Sequence, residues 1–270
     1  MKRLLSLLLI ASALLAPAFA AKVTFRASIS AANEVPANGS PLWGVANLEL
    51  DAATGAFRLI VNLKKSDENL VGSHIHLAPA GVNGAVIVNL GNESAYRRAA
   101  GKNLHREFTG MIPVANIEAV LGNGTYLNFH TATYPGGAAR GQLIANPVEL
   151  SADLSGANEV PANGSPATGA ASFIYNPGTK TISIHVEVEN FANLVASSHL
   201  HEAAVGVNGP VKLGLGGEMV YVRSGDSLTG NFIGLNYPAM SRPLLTGGAY
   251  LNIHSSQFPG GEIRGQIVSE

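Results

Sequence analysis

The chain has 270 residues, 17 Lys and Arg against 18 Asp and Glu, 31 glycines, 14 prolines and no cysteine. Without thiols there is no disulfide framework, no thiolate metal site and no lipid-modified first residue. So even a charge balance argues against nucleic acid or an anionic membrane surface as the main partner.

The first element in chain order is a leader. Lys2 and Arg3 precede the apolar run from Leu4 to Ala16, and the small-residue stretch Ala18-Phe19-Ala20 follows. This pattern predicts a signal peptide over residues 1–20 and a secreted or periplasmic product. The apolar run is shorter than the roughly 18 to 20 residues a spanning helix needs, and no later segment approaches that length. Two of the 17 basic residues lie in the leader, so the mature chain carries 15 against 18 acidic ones.

A long internal repeat follows. ANEVPANGSP occupies residues 32–41 and recurs letter for letter at 157–166, an offset of 125. The same offset relates His74-Ile75-His76 to His199-Leu200-His201, and Gly81-Val82-Asn83-Gly84 to Gly206-Val207-Asn208-Gly209. Near the end of each unit the offset is 124, relating Tyr126-Leu127-Asn128-Phe129-His130 to Tyr250-Leu251-Asn252-Ile253-His254, and YPGGAARGQL to FPGGEIRGQI. Such a period exceeds the roughly 20 to 50 residues of stacking repeats, so each copy is expected to be a domain with its own core. The expected domains are 21–147 and 148–270, meeting near Asn146-Pro147, and each is expected to unfold cooperatively when expressed alone.

Alternation sets the local structure. Phe57, Leu59, Val61 and Leu63 share one parity, as do Ile182, Ile184, Val186 and Val188, which predicts strands half buried against a core. Asn83-Gly84 and Asn208-Gly209 lie between apolar runs and read as tight hairpin turns with positive φ. A helical turn is expected within Met111 to Leu121, confined by Pro113 and Gly122. The fold class is all-β: two tandem immunoglobulin-like or Greek-key β-sandwich or barrel domains.

The ordered set ANEVP, His-x-His, G-x-N-G, Tyr-x-Asn-x-His and Pro-Gly-Gly-x-x-Arg-Gly-Gln, present twice, resembles the CHRD domain, a module named after chordin. Ala138 departs from the family pattern where Glu262 keeps it, and Ala78 and Ala203 stand where glycine is usual. The resemblance implies an immunoglobulin-like β fold and an extracellular role. Chordin's cysteine-rich modules have no counterpart here, so its growth-factor binding is not implied.

Residues i and i+2 of a strand project from one face about 6.5–7 Å apart, so His74 and His76 share a face. By the same parity Tyr126, Asn128 and His130 lie opposite the core-facing Leu127 and Phe129, and Arg140 lies opposite Gly141. If these strands are neighbours, three histidines and an arginine converge, with His199, His201, His254, Tyr250, Asn252 and Arg264 as the second set. Three neutral imidazoles suit copper or zinc. The His-x-His strand, later histidine and arginine are also similar to the copper site of copper/zinc superoxide dismutases, without a bridging histidine, zinc-loop ligands or a disulfide. The alternative is a hydrogen-bonded network that only fixes strand register, with Arg140 and Arg264 paired to Glu34 and Glu159. Two functions are therefore expected to compete: a non-enzymatic binding or structural module with an extracellular or envelope ligand, and a copper- or zinc-binding protein open to redox chemistry.

Overall fold

The computed structural model describes residues 20–64, 69–99 and 103–269, and the expected signal peptide lies outside them except for Ala20. The first repeat forms β1 (Lys22–Ser30), β2 (Trp43–Asp51), β3 (Ala56–Lys64), β4 (Leu70–Leu77), β5 (Ala85–Asn89), β6 (Arg97–Ala99), β7 (Asn103–Met111), β8 (Thr125–Thr131), β9 (Ala139–Gln142) and β10 (Ile144–Ala145). They pair in one curled antiparallel sheet in the order β5-β4-β8-β9-β1-β2-β3-β7-β6, with β10 also on β1. The second repeat supplies β11 (Val148–Ser155), β12 (Thr168–Asn176), β13 (Thr181–Glu189), β14 (Val195–Glu202), β15 (Val211–Gly216), β16 (Tyr221–Ser224), β17 (Ser227–Asn236), β18 (Ala249–Ser255) and β19 (Ile263–Gln266). Its sheet has the equivalent order, β15-β14-β18-β19-β11-β12-β13-β17-β16.

Both sheets are built by the period-two pattern. Phe57, Leu59, Val61 and Leu63 on β3 and Ile182, Ile184, Val186 and Val188 on β13 are all buried, while the residues that alternate with them are exposed or half buried. Each fully buried aliphatic or aromatic side chain contributes about 1.5–3 kcal/mol, which lets the cores hold without covalent staples. The expected helical turn is present as a 3-10 turn at Val114–Asn116 leading into α1 (Ile117–Leu121), which buries Ile117, Val120 and Leu121. Its counterpart is α2 (Ser241–Leu245).

The two repeats touch through these helices. Glu118 of α1 accepts the backbone N–H groups of Ser241 (2.8 Å) and Arg242 (3.1 Å), and Arg242 in turn donates to the carbonyls of Ala52 (3.1 Å) and Ala53 (2.7 Å).

The connection between β4 and β5 differs from the expected tight turn. Seven residues, Ala78–Gly84, link the strands, and positive φ falls at Gly81 (80°) and Gly206 (76°) instead of at the Asn-Gly pairs. Gly84 is needed for another reason: a Cβ there would lie 2.0 Å from the Leu77 carbonyl oxygen. The loop is thereby folded back over the sheet face that carries the histidines.

Candidate metal centre

Strand register assembles the centre. On β4 and β8, His76 lies opposite Tyr126, His74 opposite Asn128 and Gly72 opposite His130. The second copy repeats this with His201 opposite Tyr250, His199 opposite Asn252 and Ser197 opposite His254. The result is two clusters, His74-His76-His130 and His199-His201-His254, each offering three ring nitrogens within 4.8 Å of one another. Ring centroids are 5.0 Å apart for His74 and His130, and 5.2 Å for His199 and His254.

Hydrogen bonds fix which nitrogen faces the cluster. His76 Nδ1 donates to the Gly84 carbonyl (2.9 Å) and His130 Nδ1 to the Pro135 carbonyl (3.0 Å). His201 and His254 make the same bonds to Gly209 (2.9 Å) and Pro259 (3.0 Å). A carbonyl only accepts, so each of these Nδ1 atoms carries a proton and each neutral ring keeps its lone pair on Nε2. The Nε2 atoms of His76, His201 and His254, with His199 Nδ1, are buried without a hydrogen-bond partner. Burial is also the main force holding His74, His130, His199, His201 and His254 below the ordinary histidine pKa, so these rings stay neutral at neutral pH. Neutral, oriented, unpartnered imidazoles are the form in which histidine binds metals.

The other predicted residues sit around the centre in a different arrangement from the expected one. Tyr126 and Asn128 are both buried; the 78–84 loop reaches Tyr126 through the Gly84 N–H, which donates to the tyrosine hydroxyl (3.2 Å), and is itself tied to the ANEVP segment. Tyr126 stacks on His76 with ring centroids 4.8 Å apart and planes 11° from parallel. Arg140 stacks on Tyr126, its guanidinium carbon 3.4 Å from the ring centroid. The arginine thus faces the tyrosine instead of the histidines, and donates to the Pro79 carbonyl (3.1 Å) and Asn83 Oδ1 (3.3 Å). Asn83 Nδ2 donates onward to the Val35 carbonyl (2.8 Å). Arg264, Tyr250, His201 and Asn208 repeat the stack, with the Ala204 (3.4 Å) and Val207 (2.8 Å) carbonyls accepting from the arginine. No ion pair within 4.0 Å joins Arg140 to Glu34 or Arg264 to Glu159. Burial raises both carboxyls to about 7 against the opposing pull of the arginines.

The G-x-N-G loop, the ANEVP segment and the Pro-Gly-Gly-x-x-Arg turn therefore form one framework around the histidines. The family model described as CHRD domain matches residues 25–143 and again 150–267. The chain belongs to the CHRD domain family. CHRD domains are extracellular β modules, and the two matched segments coincide with the two sheets. No curated protein matches the chain significantly. Among the described residues no helix is long and apolar enough to cross a membrane.

Several contributors to the centre escaped the sequence reading. Gly84, Gly209, Pro135 and Pro259 act through backbone carbonyls, which side-chain chemistry does not announce. Their only sequence signal was retention of G-x-N-G and Pro-Gly-Gly in both copies.

Proposed function

We propose that this chain is an exported binding protein whose two CHRD domains each hold one copper or zinc ion through three imidazoles: His74, His76 and His130, or His199, His201 and His254. The observation that carries this reading is the coincidence, in both copies, of three ring nitrogens within 4.8 Å and tautomer-fixing bonds from the far side of two rings. A network that served only strand register would satisfy its nitrogens internally; here four buried ring nitrogens have no partner. An all-imidazole donor set suits copper and zinc, whereas calcium and magnesium require oxygen ligands. The basic leader and apolar run support export.

Metal analysis of protein purified without an affinity tag tests the proposal. Wild type is expected to hold two ions per chain. His130→Ala with His254→Ala is expected to remove stoichiometric metal while the apo fold loses only the ring hydrogen bonds to the Pro135 and Pro259 carbonyls and the one between His74 and His130, about 1 kcal/mol each. A wild type that binds neither copper nor zinc, with a double variant that melts far lower, would make the histidines structural.

A further inference from the structure

One ring of each cluster is held by more than its hydrogen bond. His76 Nδ1 donates to the Gly84 carbonyl (2.9 Å), and the N–H of the same glycine donates to the Tyr126 hydroxyl (3.2 Å). The imidazole and the phenol that share Gly84 are also stacked, with ring centroids 4.8 Å apart and planes 11° from parallel. Two hydrogen bonds and a stack thus close a circuit around His76. The second copy closes the same circuit through His201, Gly209 and Tyr250, with bonds of 2.9 and 3.1 Å and rings 4.8 Å apart at 10°.

The circuit is fastened in turn. Tyr126 is buried, and the Arg140 guanidinium over its ring donates to the Pro79 carbonyl and Asn83 Oδ1, both in the loop that ends at Gly84. A side chain at position 84 is excluded, because its Cβ would stand 2.0 Å from the Leu77 carbonyl oxygen and 2.8 Å from the Ala78 Cβ. The glycine peptide therefore stays where both rings use it. Contacts among the three imidazoles are edge-on or tilted, with interplanar angles of 83°, 61° and 44°. The bond between Cβ and an aromatic ring has a broad torsional preference, so a ring plane has to be set by its surroundings. For His76 the stack sets the plane and the Gly84 carbonyl sets the rotation within it, which leaves Nε2 buried and without a partner.

Resting on the metal-binding reading, we propose that Tyr126 and Tyr250 are the positioning residues of the two centres: each fixes the ring plane of its neighbouring histidine, His76 or His201, so that the free Nε2 is aimed for coordination. The tyrosine acts through the imidazole and has no contact with the ion. Outer-shell partners of a ligating histidine are worth about 10- to 100-fold in metal affinity, which sets the size of the effect. The aromatic ring supplies the plane and the hydroxyl only the tie to Gly84, so phenylalanine should serve nearly as well and an aliphatic side chain should not.

Titration of the full chain with zinc and with copper against a competing chelator tests this, with substitutions confined to the first domain so that the second serves as an internal reference. Tyr126→Leu is expected to weaken one of the two sites by about 10- to 100-fold, and Tyr126→Phe to keep most of the wild-type affinity. In a His76→Ala background the ring acted upon is gone, so Tyr126→Leu should cause no further loss, whereas general loosening of the fold would weaken both backgrounds alike. In the apo protein the His76 ring protons should resonate upfield under the Tyr126 ring, stay there in Tyr126→Phe and move to ordinary positions in Tyr126→Leu. If Tyr126→Leu does not fold, Tyr126→Phe decides: upfield shift and affinity retained together support the role, and an affinity loss of about 10-fold with the shift intact overturns it. Unchanged affinity in a folded Tyr126→Leu chain, or equal losses in the two backgrounds, overturns the positioning role while leaving metal binding intact. A wild type that takes up neither metal overturns both.

Discussion

Glu118 couples the two domains, and its removal has a calculable consequence. Met240, at the start of α2, makes no side-chain capping bond; the free N–H groups of Ser241 and Arg242 are capped by the Glu118 carboxylate from the other repeat. Losing a capping side chain costs about 1 kcal/mol, and losing a negative charge at a helix N-terminus a further ~0.5 kcal/mol. The Lys180 contact at 3.6 Å is partly exposed and adds little. Glu118→Ala is therefore expected to destabilise the second domain by about 1.5 kcal/mol. A unit of about 120 residues has an unfolding entropy near 0.25 kcal/mol/K, so the transition should fall by about 6 °C. Residues 148–270 expressed alone lose this cap, both bonds from Arg242 to Ala52 and Ala53, and the Ala21 N–H to the Leu245 carbonyl (2.8 Å). That fragment is expected still to unfold cooperatively, because its nine strands form a complete sheet, but at a temperature below that of the Glu118→Ala chain. Scanning calorimetry on the three proteins decides the matter. If the isolated domain melts where it does in the intact chain, and Glu118→Ala changes nothing, the interface contributes no stability and the reasoning fails.

Two further outcomes follow from the framework around the histidines. Glu34 and Glu159 are raised to about 7 from an ordinary 4.5, so the folded state holds protons that the unfolded chain releases; this stabilisation is complete below about pH 4.5 and is lost as pH rises through 7. The depressed histidines act in the opposite sense, stabilising the apo fold above the ordinary value near 6.5 and losing that contribution as pH falls through their folded values. Glu34→Gln with Glu159→Gln should therefore gain stability relative to wild type between pH 4.5 and 8, by on the order of 2 kcal/mol per carboxyl, in urea melts; a pH-independent difference would refute the assignment. Arg140→Met should cost about 3–5 kcal/mol, since it abolishes the stack on Tyr126, leaves the Pro79 carbonyl and Asn83 Oδ1 without their donor and strips Glu34 of its compensating charge. Denaturant unfolding reads that loss, and a cost below 1 kcal/mol would mean the arginine is dispensable to the framework.

The sequence by itself determined the repeat, the strand faces and the six histidines. Those features depend on local periodicity: side chains two residues apart share a face in any strand, so the parity of Phe57 to Leu63 and of His74 and His76 was legible before any pairing was known. Tertiary structure decided what depends on which backbone crosses above that face. The 78–84 loop folds back onto Tyr126, and Tyr126 and Asn128 are both buried, where the parity rule alone left them open to solvent. It also draws Arg140 to the Pro79 carbonyl and Asn83 Oδ1 and onto the face of Tyr126, so that the arginine stacks on the tyrosine instead of pointing at the histidines. Carbonyls carry no residue signature, so the acceptors at Gly84 and Pro135 that fix the imidazole tautomers became visible only when strands β4 and β8 and their flanking turns were placed side by side.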